Sequence, residues 1–486
     1  MGPIQVPEPR SCPSRRTRLA ALAGALLAGL ALVPVGLARA ASTLPQIRHV
    51  FTIVLENEDA STTFGANPPA PYLATTLRSQ GAYIPKYYGI GHFSLDNYVA
   101  MISGQAPNPA TQADCGTFIN LTPGTLGVNG QASGTGCVYP SAVPTVVGQL
   151  SAAHFSWRSY NQSMGADPTR ESATCGHPAL GAPDNTQAAS ATDQYATRHD
   201  PFVYFHSIID DAASCAGHVV NLSSLGNDLR SVKTTPNYTF ITPDLCADGH
   251  DATCANPTRP GGYAGINAFL STWMPQILAS PAYKQDGLVM ILFDEAHADS
   301  TACCGEIAGP GSPMPGITGP GGGDTGAVFL SPFIAPGTTT TVPYNHYSML
   351  RSVEDMFGLG HLGDAGQAGV ASFGSDVFTR PGYKPPVVCR AGKRPRPHHG
   401  KLPANSVIRA VHVRRSHGRE RLTFTGVYPG KLKVTLAPRA KHTRGKKIQG
   451  KIAACHSYTI GLPPGHWQLT ILATVGRASQ HASAHY

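Results

Sequence analysis

The chain has 486 residues, enough for one large domain and a smaller one. Hydrophobic residues make up 41% of it, which supports a substantial core. Glycine and proline together account for 95 residues, which argues against a helix-rich protein and predicts long, structured loops.

The first forty residues have the three parts of an export signal. Three arginines lie between positions 15 and 18, residues 19–37 are apolar, and an Ala-x-Ala cleavage site ends at Ala40. We therefore expect a secreted or cell-surface protein, cleaved near Ala40. An uncleaved membrane anchor is the alternative, because the apolar run is about long enough to cross a bilayer. No later segment is apolar enough to do so.

The net charge of +9 is the sum of an acidic and a basic part of the chain. Residues 42–389 contain 13 Lys and Arg against 26 Asp and Glu, whereas residues 390–486 contain 19 against one, Glu420. The change falls in a segment rich in proline and arginine. We predict a catalytic domain over 41–389, a basic linker over 390–404 and a small basic β domain over 405–486.

Within the acidic part, apolar strands alternate with helical patterns. The strands are predicted at 49–55, 238–241, 287–293 and 327–330, and each is of the buried, parallel-sheet kind. Helical patterns cover 71–80, 145–153 and 348–357. This alternation predicts an α/β fold with a mostly parallel sheet sandwiched by helices.

Carboxylates follow three of these strands, and ligands of parallel sheets bind at the carboxyl ends of strands. Taken alone, each cluster could be explained by a helix cap or a solvated loop without any metal site. Together, their carboxylate and imidazole groups match the ligands of divalent metals. The candidate metal residues are Glu56, Asn57, Asp248, His250, Asp294, Glu295 and His346. For the two histidines the alternative is a buried structural role.

Ser94 is the candidate nucleophile. It follows a Gly-rich turn and precedes an apolar stretch with helical spacing. Its hydroxyl would lie at a helix N-terminus, where backbone N–H groups favour an anion. A plain N-cap serine is the alternative.

Ten of the eleven cysteines remain once Cys12 leaves with the signal, and exported proteins use such cysteines mainly as disulfides. Short spacings favour Cys115 with Cys137 and Cys246 with Cys254. The adjacent cysteines 303 and 304 open a Gly/Pro-rich loop that runs to residue 323. We expect each of the two to pair elsewhere and the loop to form a lid beside the metal site; a surface insertion is the alternative.

The basic tail contains three segments of alternating polarity, at 421–427, 431–436 and 467–472, which predict a small β module. Cys389 and Cys455 are candidates to staple it. Its charge suits an anionic cell-wall or lipid surface, and a solvated appendage is the alternative. No nucleic-acid motif is present, so specific nucleic-acid recognition is not expected.

In their order along the chain, these segments resemble the bacterial phosphoesterase family of the alkaline-phosphatase superfamily, which contains secreted acid phosphatases and phospholipases C. The matching segments are 55–57, 92–98 with 103–104, 243–251, 293–295 and 345–355. The resemblance implies an alkaline-phosphatase-like sheet and a metal-dependent phosphoester hydrolase.

The resemblance also implies roles. Ser94 would form a phosphoseryl intermediate, Asn97 would donate to a phosphate oxygen, and His92 would be a third catalytic residue. Glu56, Asp294 and Glu295 would hold one divalent ion, supported by Asn57. Asp248, His250 and His346 would hold a second ion, or act as acid and phosphate contacts. The ion, Zn, Ca, Mg, Mn or Fe, is not determined by the sequence, and the substrate is a phosphomonoester or a phospholipid.

Two positions depart from the family pattern. Phe93 and Asp96 stand where the family has prolines, so the turn lacks their stiffening. Asp96 also adds a negative charge near the expected phosphate, or supplies another ligand. The alternatives to a phosphatase are a phospholipase C and, from another class, a cell-surface binding protein on a decayed hydrolase scaffold.

Overall fold

The computed structural model describes residues 44–304, 321–382, 408–416, 419–426, 430–438, 446–452, 457–462, 467–475 and 478–485. Several predictions from the sequence concern residues outside these ranges: the export signal, the linker, most of the 302–323 loop, and Cys389 and Cys455. The proposed domain boundaries therefore stay predictions. No helix in the described ranges combines the length and the apolar content that a membrane crossing needs.

Residues 44–382 contain twelve strands in the part of the chain that is described. They are β1 His49–Leu55, β2 Ala82–Ile84, β3 Tyr87–Tyr88, β4 Thr122–Leu126, β5 Ala132–Thr135, β6 Trp157–Asn161, β7 Val219–Asn221, β8 Tyr238–Thr242, β9 Gly287–Phe293, β10 Ala327–Leu330, β11 Thr338–Thr339 and β12 Tyr344–Asn345. Eight of them form one sheet in the order β11-β2-β10-β9-β1-β8-β6-β7.

The five neighbours from β9 to β7 are all parallel, which confirms the predicted sheet. β10 is the exception, because it runs antiparallel to both β9 and β2. The parallel direction expected for residues 327–330 was therefore wrong. An apolar run shows that a strand is buried on both faces, and that burial is the same for either direction.

The helices of the same ranges are α1 Ala60–Thr63, α2 Arg78–Gln80, α3 Ser94–Ser103, α4 Val146–Ala152, α5 His206–Ile209, α6 Ala212–His218, α7 Leu225–Asp228, α8 Gly262–Ala279, α9 Pro281–Asp286 and α10 His346–Phe357. A π-helical turn, Tyr72–Leu77, leads into α2. Short 3-10 turns cover Thr111–Ala113, Val128–Gly130, Thr197–His199, Pro201–Tyr204, Leu222–Ser224 and Gly363–Gly366. α10 starts two residues before the predicted pattern because the Asn345 side chain caps it, accepting from Ser348 N–H at 2.9 Å.

Helices cover both faces of the sheet, and β1 shows why. Its side chains alternate with period two. Val50 and Val54 pack into a core that also contains residues of α3, α4 and α10. Phe51, Ile53 and Leu55 pack into a second core with residues of α8. A continuous apolar strand is thus explained by burial on both sides.

Four disulfides are formed among the described residues. Cys115–Cys137 and Cys246–Cys254 confirm the pairs favoured by spacing, and Cys175–Cys215 is a third. Cys303 is bonded to Cys304, so the expectation that these two pair elsewhere was wrong. The other six cysteines of the described ranges pair among themselves, which leaves the two neighbours with each other.

The basic tail forms strands β13 Ile408–Ser416, β14 Arg419–Gly426, β15 Gly430–Pro438, β16 Lys446–Ile452, β17 Ser457–Gly461, β18 Trp467–Val475 and β19 Ala478–His485. They build two antiparallel sheets, β13-β14-β17 and β16-β15-β18-β19. Both sheets contribute to one apolar cluster, with Leu422 and Phe424 from the first and Val434 and Ile471 from the second. The predicted small β module is therefore present.

One buried carboxyl of α10 has only one of its oxygens hydrogen-bonded. Glu354 Oε1 accepts from Leu362 N–H at 2.9 Å, whereas Oε2 has no hydrogen-bond partner. Burial raises the pKa of this carboxyl to about 9. The folded chain thus keeps Glu354 protonated over a range in which the unfolded chain ionises it.

We predict that Glu354→Gln stabilises the protein at alkaline pH. In the wild type, the stability linked to Glu354 is fully present below the usual pKa of 4.5 and is lost as the pH rises towards 9. Glutamine does not ionise, and its carbonyl still accepts from Leu362 N–H. Denaturant unfolding should show similar stability near pH 5 and a gain of about 1–3 kcal/mol at pH 8.5. A difference that does not vary with pH would contradict the raised pKa.

Candidate active site

The order of the sheet brings three carboxylates to one edge. β9, β1 and β8 are parallel neighbours, so their carboxyl ends lie side by side. Glu56 and Asp294 directly follow β1 and β9, and Asp248 lies in the segment after β8. Backbone hydrogen bonds join these segments: Glu56 N–H donates to Asp248 O and Asp294 N–H donates to Leu55 O, each at 2.9 Å.

Ser94 begins α3 beside this edge. Phe93 precedes the helix in extended conformation, with φ −159° and ψ 145°. The serine is 3% exposed, and its hydroxyl donates to Glu56 Oε2 at 2.8 Å. A nucleophile candidate, an accepting carboxylate and a helix N-terminus thus meet at one point.

Asn97 holds the turn that carries Ser94. Its Nδ2 donates to Gly91 O at 2.9 Å and to Phe93 O at 3.0 Å. Its Oδ1 accepts from Ile90 N–H at 2.8 Å and from Gly91 N–H at 3.2 Å. These four bonds fix the segment that lacks the family prolines. The geometry therefore gives Asn97 a positioning role, and its expected phosphate contact stays a prediction.

Asp96, the other departure from the family pattern, is buried under the same turn. Neither of its carboxylate oxygens has a hydrogen-bond partner. A Cβ added at Gly91 would overlap the Asp96 carboxylate, so a larger residue there would displace that side chain. Burial and the nearby Asp114 and Asp294 raise the pKa of Asp96 well above its usual value.

His199 is a site residue that the sequence analysis missed. Its Nε2 lies 3.4 Å from Glu56 Oε1, and its Nδ1 lies 3.2 Å from Asp248 Oδ2. The ring stacks on Tyr98, with centroids 5.3 Å apart and planes at 3°. His199 thus lies between two of the three carboxylates.

The turn that carries His199 is fixed over the ends of β6 and β8. Asn161 Nδ2, at the end of β6, donates to Asp200 Oδ2 at 3.0 Å. Thr242 Oγ1, at the end of β8, donates to His199 O at 3.2 Å. The last strand residues therefore set the position of a segment that follows neither strand directly.

Arg198 was missed as well, and it is buried beside the cluster. Its guanidinium lies 3.0 Å from His250 Nε2 and 3.7 Å from Asp114 Oδ2, and it donates to Gln187 O at 2.9 Å. Searching only the residues after strands could not find it. The available signal was the run Arg198-His199-Asp200 before a proline, in a chain with only 13% charged residues.

His250 and His346 lie around the cluster without joining it. His250 Nδ1 lies 2.8 Å from Asp251 Oδ1, while its Nε2 faces Arg198. His346 Nε2 is hydrogen-bonded to Asp294 O, and its Nδ1 lies 3.2 Å from the Tyr87 hydroxyl. With both ring nitrogens engaged, each histidine positions a neighbour in this structure. Metal or phosphate contact by either residue stays a prediction.

The other candidates flank Ser94 and Asp294. Asn57 N–H donates to Asp294 Oδ1 at 3.0 Å, and its side chain donates to Glu56 Oε2 at 3.4 Å. Asn57 therefore braces two carboxylates, as expected of a supporting residue. His92 Nδ1 and Asn97 Nδ2 lie 4.0 Å and 3.4 Å from Glu295 Oε2, so Glu295 faces the turn more than the cluster.

Burial raises the pKa of Glu56, Asp248 and Asp294, and repulsion from nearby carboxylates adds to it at Glu56 and Asp248. Burial, followed by Asp294 and Asp248, raises the pKa of Glu56 well above its usual value. Burial raises the pKa of Asp294 to about 6 and that of Asp248 well above its usual range. Burial and Arg198 lower the pKa of His199, so the histidine is neutral and does not offset the negative charge.

The donor set fits a divalent cation. Glu56 Oε1, Asp248 Oδ2, Asp294 Oδ2 and both nitrogens of His199 are buried and have no hydrogen-bond partner. Ligand atoms of Glu56, His199 and Asp248 lie within 4.8 Å of one another. Neutral imidazole and carboxylate oxygens that approach closely without hydrogen-bonding are the arrangement of a metal site.

Comparisons with known proteins identify the family of this chain. The model of the Phosphoesterase family matches residues 68–360, more than half of the chain. A phosphate-repressible acid phosphatase of Penicillium chrysogenum is 27% identical over 287 residues, covering 59% of this chain and 54% of the relative. A phosphatidylinositol-3-phosphatase of Mycobacterium tuberculosis is 26% identical over 349 residues, covering 71% and 89%. The chain spans about half the length of the fungal relative.

Among solved structures, a protein in the alkaline phosphatase superfamily from Vibrio parahaemolyticus aligns with a TM-score of 0.38 and 11% identity, over 67% of this chain and 72% of that one. A TM-score and an identity this low do not support a conclusion about this chain. The match of the family model alone establishes that this chain belongs to the phosphoesterase family.

Proposed function

We propose that this protein is a metal-dependent phosphatase that hydrolyses phosphate monoesters through Ser94. The observation that carries the proposal is the Ser94 hydroxyl donating at 2.8 Å to Glu56, a buried carboxylate that also belongs to the candidate metal cluster. The same residue thus orients the nucleophile and provides a metal ligand. The bond would hold Ser94 Oγ at the N-terminus of α3, facing the incoming phosphate.

The negative charge of the site means that an anionic substrate can bind only with positively charged groups beside it. A monoester phosphate is an anion, and it would enter a region of buried carboxylates. The divalent cation would neutralise phosphate oxygens and lower the pKa of a bound hydroxyl when present. Arg198, at the edge of the cluster, would supply a second positive charge and hydrogen-bond donors in a planar fork that suits phosphate.

The chain's own residues account for the covalent step. Ser94 Oγ would form a bond to phosphorus while the bond from phosphorus to the leaving alcohol oxygen breaks. In the starting state the Ser94 hydroxyl donates a hydrogen bond to Glu56. As the serine bonds to phosphorus, its proton would pass by way of this carboxylate to the departing oxygen, which leaves as the alcohol. Water would then cleave the phosphoseryl ester and regenerate the serine. The catalytic role expected for His92 stays a prediction.

Two further observations bear on substrate and location. The relatives reported above are named as phosphatases, which supports a phosphatase over a phospholipase C. Disulfides are typical of an oxidising compartment, which supports export. Ser94 is hydrogen-bonded to Glu56, and Glu56 and Asp248 lie together in the candidate metal cluster, which argues against a catalytically decayed scaffold.

Activity should depend on a divalent ion. We expect chelation to abolish release of nitrophenol from nitrophenyl phosphate, and one of Zn, Ca, Mg, Mn or Fe to restore it. Nitrophenyl phosphorylcholine, assayed in parallel, should be cleaved much more slowly. Full activity in chelator would contradict metal dependence, and preference for the choline ester would favour the phospholipase C alternative. No activity on either ester, from metal-loaded folded protein, would favour the binding-protein alternative.

Ser94→Ala should lower turnover by at least about 10³-fold, because it removes the nucleophile, while metal content stays unchanged. The matched control is Ser103→Ala, which removes a buried hydroxyl at the other end of α3. Steady-state kinetics and elemental analysis of both variants test this. Wild-type turnover in Ser94→Ala would exclude the covalent route.

His199→Gln should weaken metal binding by at least about tenfold, because it removes the imidazole donor from the cluster. The control is His206→Gln: this histidine contacts Asp210 and Asn120, neither of which belongs to the cluster. Calorimetric titration of metal into chelator-treated protein gives the affinities without reference to activity. Equal affinity in the two variants would remove His199 from the ligand set.

A further inference from the structure

One face of the larger sheet in the C-terminal module is lined with lysines. On β15, Leu432, Val434 and Leu436 point into the apolar core. Because side chains alternate along a strand, Lys431 and Lys433 lie on the opposite face. This sheet therefore has one apolar face, which packs in the core, and one basic face.

The register of the sheet sets further residues beside these lysines. Lys431 is paired with Lys451 on β16 and with Thr474 on β18. Lys433 is paired with Gln449 and Leu472 on the same two strands. These six residues line a cavity of about 290 Å³, which we call the lysine groove.

The lysine groove keeps an unfavourable arrangement of charge. Lys431 and Lys451 are directly opposite on neighbouring strands, and like charges in that position destabilise a sheet. Glu420, the one Asp or Glu of positions 390–486, lies on β14 in the other sheet, so the strands β15, β16 and β18 that form the groove contain no acidic residue. A bound polyanion would turn this repulsion into attraction.

We propose that the lysine groove binds a linear polymer with a phosphodiester backbone and polyol or sugar repeats, of the kind found in cell envelopes. Lys431 and Lys433 are two residues apart, roughly 6.8 Å along the strand, and would contact successive phosphates. Leu472 gives the groove an apolar contact for the carbon skeleton of the repeat. Thr474 and Gln449 add hydrogen-bonding groups between the charges.

The lining residues distinguish this polymer from two other anions. A bilayer needs exposed apolar anchors, yet the one apolar side chain among the six groove residues, Leu472, is half-buried. A single-stranded nucleic acid needs aromatic side chains on which bases stack, and none lines the groove. Charge without anchors or stacking fits a polymer that has neither bases nor acyl chains.

The test measures binding of the whole protein to poly(glycerol phosphate) freed of its lipid anchor. We expect saturable binding whose affinity falls steeply with salt, as counterions are released. In the variant Lys431→Gln/Lys433→Gln/Lys451→Gln, affinity should fall by at least about tenfold with a shallower salt dependence. The matched control, Lys233→Gln/Lys284→Gln/Arg421→Gln, removes the same charge from exposed positions elsewhere and should bind like the wild type.

Each opposite result would overturn the proposal. An unchanged affinity of the groove variant would do so, as would equal losses in both variants, which would mean that net charge and not this face binds. Tighter binding to phosphatidylglycerol vesicles or to duplex DNA than to the polymer would assign the face to another partner.

A second variant separates loss of binding from loss of folding. Lys451→Glu turns the like-charge pair with Lys431 into an opposite-charge pair, so its melting temperature should equal or exceed that of the wild type. Its affinity for the polymer should nevertheless fall. Retained affinity in this well-folded variant would contradict the proposal.

Discussion

The concentration of negative charge at the carboxyl edge of the sheet is the constraint on which the site depends. Glu56, Asp248 and Asp294 are buried close to one another, and burial raises the pKa of each; repulsion from nearby carboxylates raises the pKa of Glu56 and Asp248 further. The neighbouring histidine is neutral and does not compensate. A folded chain tolerates such a cluster when a cation supplies the missing charge, so the proposed metal would contribute to the stability of the fold as well as to the proposed chemistry.

Sheet order explains why the charges meet. The three carboxylates come from segments about fifty to two hundred residues apart in the chain, yet they follow adjacent parallel strands. The surrounding polar groups are then used to orient them. Asn57 and His346 engage the side chain and carbonyl of Asp294, and Asn97 fixes the turn before Ser94. In this structure the candidate ligand His346 thus orients Asp294, and its contact with a metal or phosphate stays a prediction.

Much of the fold could be predicted, because apolar runs and strand ends are local signals. β1 and β9 match their predicted bounds, and the residues following them form the site. The direction of a strand has no such local signal: β10 is as apolar as β9 but runs antiparallel to it. Arg198 and His199 were missed for a related reason. Their turn is anchored by Asn161 and Thr242, contacts that no spacing in the sequence reveals.

The hydrogen-bonded turn before Ser94 has a consequence for the rigidity of this proposed nucleophile. A proline restricts the chain in the unfolded state as well as the folded one, so its ordering effect is largely entropic. Here the same segment is ordered by four bonds of one amide side chain, which exist only in the folded state. Such a turn can open locally by breaking those bonds while the sheet beneath stays intact. The position of Ser94 would then be lost at a lower temperature than the sheet itself, because it depends on the bonds of one side chain.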